Sequence, residues 1–338
     1  MNRINLSIIF LTSYLDALIK MIKNEEGIID YIKSNIKTTS GNVVKSIGDD
    51  CAVIKISPKK YFVITTDTSL LGPHFTKNYS PYEIGYKSLA TNLSDIAAMG
   101  CVPKYIFMAL TIPKLESEWI KSFYKGIKHL TEKYNVALIG GDTNRGPLSI
   151  SIQVIGENKK NILYRDGAKN GEDIYVTGKL GCARAALMIT NKKKYQHEFK
   201  LLKKYLHLPV PRIDIGIDIS RFASSCIDVS DGIAKDLYNI TVSSKCGADI
   251  FIDKIPTHKL VKKIIPSKLY YEALIGGGED YELCFTANKK YQKQIDKISK
   301  KHSLSITKIG VITKSKLRYF DNDKLVNLSL KGFDHFSK

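Results

Sequence analysis

Five aspartates in short motifs are the residues of this sequence whose type and spacing could do chemistry. Each lies in a short motif that contains glycine, serine or threonine, and the five are Asp50, Asp67, Asp95, Asp142 and Asp228. Carboxylates collected in this number repel one another unless cations lie between them. Oxygen ligands without histidine or cysteine partners favour Mg²⁺, which usually completes its shell with phosphate oxygens and water. The pattern therefore predicts magnesium-dependent chemistry on phosphate groups.

Each motif taken alone also has a simpler structural interpretation. A turn could keep Asp50 in water, Asp67 could cap a turn through its side chain, and Asp231 could be an acid favoured by a helix dipole. A single histidine such as His74 most often lies at the surface or packs in a core. Arg165, in a polar stretch, is by itself better explained as a charge in a linker. These alternatives stay open for each motif, and the argument depends on the whole set.

The chain has neither of two common nucleotide-binding signatures. It contains no G-x-x-x-x-G-K-[ST] P-loop and no protein-kinase set of H-R-D and D-F-G. We therefore expect phosphoryl transfer in another architecture. Several metal ions would take the place of the backbone amides and the lysine that a P-loop enzyme uses.

Asp95, the third of these acids, is predicted to lie on a helix. The stretch from Gly85 to Gly100 is bounded by Pro81 and Pro103 and has the apolar spacing of one buried helix. Asn92 and Asp95 group on its polar side. We expect this helix to lie between two packed layers.

Strands should position the other acids. Residues 61–66 form a β-rich run that is predicted to end at Asp67, where open α/β proteins commonly bind ligands. Residues 136–139 are predicted as a short strand that ends in Gly140-Gly141-Asp142-Thr143. Those glycines suit close approach to a phosphate and suit a tight hairpin equally well. Residues 225–232 are predicted to end a strand at Asp228 and open a helix.

Length and composition indicate a globular protein of two domains. The chain has 338 residues, 43% of them hydrophobic and 25% charged. We place the boundary in the polar stretch from 156 to 171, which gives an extension at 1–22, an N-terminal domain at 23–157 and a C-terminal domain at 158–338. The apolar run in the extension is interrupted by Asp16, and it is too short and polar to span a membrane. Met21 is a plausible start of the protein.

Charge and cysteine usage restrict the partners and the compartment. The net charge of +19 admits anionic partners, but the lysines are spread along the chain without an arginine-rich block or an aromatic RNA-binding motif. We therefore predict no nucleic-acid partner and no membrane partner. Six cysteines without a C-x-x-C pair favour reduced thiols and a cytoplasmic protein.

The motifs in their order resemble those of the thiamine-monophosphate kinase family. The resemblance runs from about residue 24 to the C-terminus and rests on Gly48-Asp49-Asp50, Thr65-Thr66-Asp67-Thr68 with His74-Phe75, Asn92 to Gly100, Gly140 to Thr143, Asp228 to Gly232, Gly277 to Leu283, and Lys331 to Phe336. Aminoimidazole ribonucleotide synthetase and its relatives share the fold, but they lack the GGEDYEL segment and the ending found here.

The resemblance implies a fold, a reaction and a set of site residues. The fold is a two-domain α/β (α+β) chain of the aminoimidazole ribonucleotide synthetase type, whose N-terminal sheet forms a barrel with that of a second subunit in a homodimer. The reaction is ATP-dependent phosphorylation of thiamine monophosphate to thiamine diphosphate by direct in-line transfer. Several Mg²⁺ ions would be held by Asp50, Thr65, Thr66, Asp67, Asp95, Asp142, Asp228 and Asp231. ATP would contact Gly141, Asp142, Arg165 and Ser230, and thiamine monophosphate would contact His74, Glu279 and Phe333.

Two positions depart from the family pattern. Asn144 stands where a second threonine is expected, and Lys125 lies where the family varies in its contact on the adenine side of ATP. Neither is one of the metal-binding acids, so they bear on nucleotide affinity more than on activity. The competing hypotheses are another ATP-using enzyme of the same fold and a non-enzymatic basic protein that binds polyanions.

Overall fold

The computed structural model describes residues 24–328. Its α-helices, numbered in chain order, are α1 Glu25–Asn35, α2 Pro81–Ala98, α3 Ser117–Tyr134, α4 Cys182–Ile189, α5 Gln196–His207, α6 Ile213–Ile219, α7 Ile233–Ser243, α8 Lys259–Ile264 and α9 Gln292–Lys301. Glu272–Gly276 forms one turn of π-helix. The predicted extension at 1–22, Met21 and the C-terminal segment with Phe333 lie outside the described residues.

The strands form two sheets. They are β1 Val43–Lys45, β2 Ala52–Ser57, β3 Lys60–Leu70, β4 Cys101–Ile112, β5 Ala137–Arg145, β6 Ser149–Asn158, β7 Asp173–Thr177, β8 Ser225–Asp228, β9 Gly247–Phe251, β10 Leu283–Ala287, β11 Ile306–Thr313, β12 Arg318–Asp321 and β13 Lys324–Val326. The first sheet has the order β1-β2-β3-β6-β4-β5 and the second the order β13-β12-β9-β11-β7-β10-β8. This mixed α/β architecture confirms the predicted fold class.

Helix α2, the central helix, connects the two halves of the molecule. Ser80 and Glu83 form a capping box at its start, with Pro81 in the first turn. The helix packs on β3, β4 and β6 of the first sheet, and also on α6 and β8 of the second half. At Gly216 in α6 an added Cβ would lie 2.1 Å from the carbonyl oxygen of Ala97, so only glycine permits this approach. The prediction of a helix between two layers is confirmed.

Strand β3 corrects the prediction for Asp67. The sequence predicted that the strand ends there, but β3 continues to Leu70 because β6 pairs with it as far as Leu70 opposite Ser149. Asp67 therefore projects from the middle of a strand. It alternates with the exposed Thr66 and Thr68, so its side chain is on the face that the central helix covers.

Strand β5 corrects the prediction for the glycine pair. It does not end at Ile139 but runs through the glycines to Arg145, since β4 pairs with it in parallel register. Gly141 has φ +151°, and a Cβ there would lie 1.9 Å from the carbonyl oxygen of Met108. The glycine is thus required for contact between two strands, and the pair forms neither a tight hairpin nor a loop.

No helix within residues 24–328 is long and apolar enough to cross a bilayer.

Candidate active site

A cavity of about 890 Å³ lies where the central helix, strand β3 and the second sheet meet. Eleven of the residues predicted for metal, nucleotide or substrate line it: Asp50, Thr65, Thr66, Asp67, His74, Asp95, Arg165, Asp228, Ser230, Asp231 and Glu279. They come from loops, a strand, a helix and a strand end that are far apart in sequence. The fold therefore collects these motifs in one place.

Three carboxylates form the innermost part of the cavity. One oxygen from each of Asp50, Asp95 and Asp228 lies within 4.8 Å of the other two. Asp50 precedes β2, Asp95 is on the central helix, and Asp228 ends β8. Asp50 and Asp228 are buried, and Asp95 is partly exposed toward the cavity.

Neighbouring hydroxyl groups orient two of these carboxylates. Thr65 Oγ1 donates a hydrogen bond to Asp95 Oδ2 at 2.6 Å, and Ser94 Oγ donates one to Asp228 Oδ2 at 2.7 Å. Each aspartate keeps a second oxygen for another partner. The arrangement thus fixes the direction of the acids without neutralising their charge.

Repulsion among the acids shows in their pKa values. Burial, with the nearby charges of Asp67, Asp228 and Asp50, raises the pKa of Asp95 well above its usual value of 3.8. Burial and the charge of Asp50 raise the pKa of Asp228 to about 8. Both carboxyl groups are therefore harder to ionise than a free aspartate, and a cation bound between them would offset this repulsion.

One guanidinium group partly compensates the cluster. Arg165 Nη2 donates to Asp50 Oδ1 at 2.7 Å, while its backbone N–H donates to both oxygens of Asp49 at 3.2 and 3.3 Å. The other oxygen of Asp50, Oδ2, is buried and has no hydrogen-bond donor among the described residues. A buried, unpartnered carboxylate oxygen beside two further carboxylates fits a hard divalent cation such as Mg²⁺.

His74 and Glu279 also line the cavity. His74 Nδ1 accepts a hydrogen bond from the backbone N–H of Leu70 at 3.1 Å, which fixes the imidazole. Glu279 has φ +77°, a left-handed conformation that a non-glycine residue adopts only when its surroundings hold it there. Its backbone N–H donates to the carbonyl of Ser230 at 2.8 Å, so the residue predicted to contact the substrate is held next to the one predicted to contact ATP.

The other acids of the GGEDYEL segment have structural partners. Asp280 accepts hydrogen bonds from the backbone N–H groups of Gly181 and Ala183 at the start of α4. Glu282 is paired with Arg212 and accepts a hydrogen bond from Thr177 at 2.6 Å. Glu279 is therefore the acid of this segment that the fold directs to the cavity.

Three predicted residues are not brought to this cavity. Gly141 and Asp142 lie on the exposed edge strand β5, where Asp142 accepts hydrogen bonds from its neighbours Thr143 and Asn144. Lys125 is exposed on α3. None of the three lines the cavity.

Sequence reasoning missed the cavity residue Lys87. This lysine is buried on the central helix and contacts the carboxylate of Glu279. A lysine within the otherwise apolar and small-residue stretch Gly85 to Ala90 was the available signal, because such a position is normally buried.

The fold and the carboxylate cluster define a class of protein. Residues 48–158 match the family described as AIR synthase related protein, N-terminal domain. A thiamine-monophosphate kinase of Buchnera aphidicola subsp. Schizaphis graminum is 43% identical over 320 residues, covering 93% of this chain and 99% of the relative. The chain belongs to the thiamine-monophosphate kinase family, as its motifs predicted.

Solved structures agree with this assignment. The thiamine-monophosphate kinase of Stenotrophomonas maltophilia K279a superimposes with a TM-score of 0.75 at 32% identity, covering 88% of this chain and 95% of that one. AaThiL complexed with AMPPCP and TMP superimposes with a TM-score of 0.78 at 30% identity, covering 92% of this chain and 97% of that one.

The raised pKa of Asp228 makes the stability of the metal-free protein depend on pH. A pKa of about 8 in the folded state, against the usual 3.8, means that the folded protein binds an extra proton between these values. This extra proton stabilises the folded state fully below pH 3.8, and the stabilisation is lost as the pH rises through about 8. From pH 7 to pH 9, wild type should lose on the order of 1 kcal/mol of unfolding free energy that Asp228→Asn does not lose.

Urea unfolding in EDTA at the two pH values measures this difference. Asp228→Asn keeps an oxygen that can accept from Ser94, so the comparison isolates the ionisation. Equal losses in wild type and variant would show that Asp228 does not carry the extra proton.

Proposed function

We propose that this chain transfers the terminal phosphoryl group of ATP to thiamine monophosphate and so forms thiamine diphosphate. The observation that carries the proposal is the group of three carboxylates within 4.8 Å of one another in a cavity of about 890 Å³. Family membership supports the choice of substrates, as does the superimposed structure of AaThiL complexed with AMPPCP and TMP. Electrostatics supports the choice of reaction, because two anionic phosphates cannot approach without neutralisation.

Magnesium ions would be held by the acids between the two phosphate groups. Asp50, Asp95 and Asp228 would supply the innermost ligands. Thr65, Thr66, Asp67 and Asp231, which line the same cavity, would complete the set from the chain. When bound, such ions neutralise the phosphate oxygens and hold the reacting groups in line.

The remaining cavity residues form two groups, one for each substrate. Arg165 and Ser230 would contact ATP, because Ser230 lies between β8 and α7 and the guanidinium of Arg165 is bound to Asp50 beside the carboxylates. His74 and Glu279, which also line the cavity, would contact thiamine monophosphate. The reacting phosphates would then meet above the carboxylates.

The transfer needs no covalent enzyme intermediate. An oxygen of the thiamine phosphate forms a bond to the γ-phosphorus of ATP as the bond from that phosphorus to the β-phosphate oxygen breaks, and ADP leaves. A phosphate monoester is largely ionised at neutral pH, so the attacking oxygen requires no general base. The chain's contribution is to position the two substrates and to exclude water.

Thiamine diphosphate formation tests the proposal. Wild type with thiamine monophosphate, ATP and Mg²⁺ should yield thiamine diphosphate and ADP in equal amounts, as measured by chromatography. Asp95→Ala should lower kcat by at least about a hundredfold, because it removes one of the three central carboxylates. The matched control is Glu132→Ala, which removes an exposed acid on α3.

Two outcomes would redirect the assignment. Folded wild type that makes no thiamine diphosphate over a range of Mg²⁺ concentrations, but phosphorylates another phosphate-bearing acceptor, would indicate a different ATP-using enzyme of this fold. Salt-sensitive binding of polyanions that survives Asp95→Ala, without turnover of any acceptor, would indicate the non-enzymatic binding protein.

A homodimer through the first sheet forms part of the proposal. One face of this sheet is covered by the central helix, while the other exposes aromatic side chains, with Tyr105 39% and Phe107 37% exposed. The edge strand β5 exposes Leu138 and Ile139 as well. A second copy of the same sheet would bury this apolar surface, which is unusual for a monomer.

The second copy would also explain why Gly141 and Asp142 lie outside the cavity of their own chain. Asp142 is in register with Ala109, Ala109 with Ser151, and Ser151 with Thr68, so it lies three strands away from β3. At about 4.8 Å per strand the separation is roughly 14 Å within one copy. We propose that Asp142 and Gly141 serve the cavity of the partner subunit, where they would contact ATP and its metal. Lys125 stays a proposed contact to the adenine side of ATP.

The dimer proposal predicts the effect of a charge on the exposed sheet face. Phe107→Arg should convert a species of twice the chain mass into one of the chain mass, as measured by light scattering after size exclusion, because it places a charge in an apolar interface. Val242→Arg, at another exposed apolar position on α7, should leave the mass unchanged. A monomeric wild type would refute the proposal.

A further inference from the structure

Lys87 on the central helix is an unusual residue because its charge is buried. Its side chain is 4% exposed, although an ammonium group is strongly hydrated in water. Lysine is almost never fully buried unless it is paired. The partners of Lys87 therefore indicate what it does.

Those partners come from both halves of the molecule. Lys87 Nζ forms an ion pair with Glu279 Oε2, from the loop before β10. It donates a hydrogen bond to the backbone carbonyl of His74 at 3.0 Å, from the loop after β3. It also lies 3.4 Å from the hydroxyl of Tyr79 and 5.3 Å from the centre of that ring.

The ammonium group thus joins the two residues proposed to bind thiamine monophosphate. His74 is restrained through its backbone by Lys87 and through its imidazole by Leu70 N–H. Glu279 is restrained through one carboxylate oxygen by Lys87 and through its backbone by Ser230. Apart from Lys87, no lysine or arginine among the described residues forms an ion pair with Glu279.

A packing role alone explains this arrangement less well. A lysine that only tied the two halves together would be equally effective anywhere along their contact, whereas Lys87, Glu279 and His74 all line the cavity. Glu279 moreover holds a left-handed backbone conformation, which costs free energy and persists because its surroundings restrain it.

We infer that Lys87 is a positioning residue for the acceptor substrate: its buried ammonium sets the distance between His74 and Glu279, and so the width of the site for thiamine monophosphate. This inference rests on the proposed function. It assigns Lys87 no contact with ATP, whose proposed residues Arg165 and Ser230 do not touch it.

Steady-state kinetics of Lys87→Met and Lys87→Arg test the inference. Methionine keeps the length of the side chain but removes the charge, so kcat/KM for thiamine monophosphate should fall by roughly tenfold to a hundredfold, mainly through KM. The KM for ATP should stay within about twofold of wild type. Lys87→Arg, which keeps the charge, should recover part of the loss.

A double-mutant cycle with Glu279→Gln separates pairing from other effects. If the two side chains act as a unit, the loss in Lys87→Met/Glu279→Gln should be clearly smaller than the product of the two single losses. The matched control is Lys203→Met, which removes another ion pair of the central helix, that with Glu83 at 2.6 Å, outside the cavity. It should leave the KM for thiamine monophosphate unchanged.

Thermal unfolding of every variant accompanies the kinetics. Equal losses for both substrates, without recovery in Lys87→Arg, would show a general structural role and overturn the inference. Unchanged kinetics of Lys87→Met would overturn it too. Both results are distinct from a failure of the proposed function, in which wild type itself makes no thiamine diphosphate.

Discussion

The mutual repulsion of buried carboxylates is the constraint on which the rest of this structure depends. Asp50, Asp95 and Asp228 offer oxygens within 4.8 Å of one another, in a place that water only partly reaches. Such a group destabilises the fold unless protons or cations neutralise it, and the raised pKa values of Asp95 and Asp228 express that cost. The protein retains the cluster although a set of neutral side chains would be more stable. The acids lower the stability of the folded protein, but they form a site that attracts cations, and cations can in turn bind phosphates.

The architecture follows from the need to hold these acids rigidly. The central helix supplies Asp95 and Lys87 from one element, and it is in contact with both halves of the molecule. A small shift of this helix would move a carboxylate and the ammonium that restrains Glu279 together. The carboxylates proposed to bind metal and the residues proposed to bind the acceptor are thus positioned by one rigid element, as a reaction between two anions in line requires.

The sequence predicted the chemistry better than the geometry. Acids in motifs with glycine, serine or threonine identified the cluster, apolar spacing identified the central helix, and the family resemblance implied the fold class. The continuation of β3 past Asp67 and of β5 through Gly141 was missed, because each depends on a partner strand that is distant in sequence. The apolar stretch around Lys87 indicated its burial, but no local pattern reports its ion pair with Glu279, which is almost two hundred residues away. The division into domains at 157 and 158 and the roles of Phe333 and Lys125 stay predictions.

The most direct measurement of the central claim is the binding of Mn²⁺, a paramagnetic substitute for Mg²⁺, followed by electron paramagnetic resonance without nucleotide or acceptor. Wild type should bind Mn²⁺ in competition with Mg²⁺, and Asp95→Asn should weaken the binding at least about tenfold, because one carboxylate of the three loses its charge. Asp30→Asn, at an exposed acid on α1, should bind as wild type does. Binding that is equally strong in wild type and Asp95→Asn would contradict the account, since the cation would then lie elsewhere.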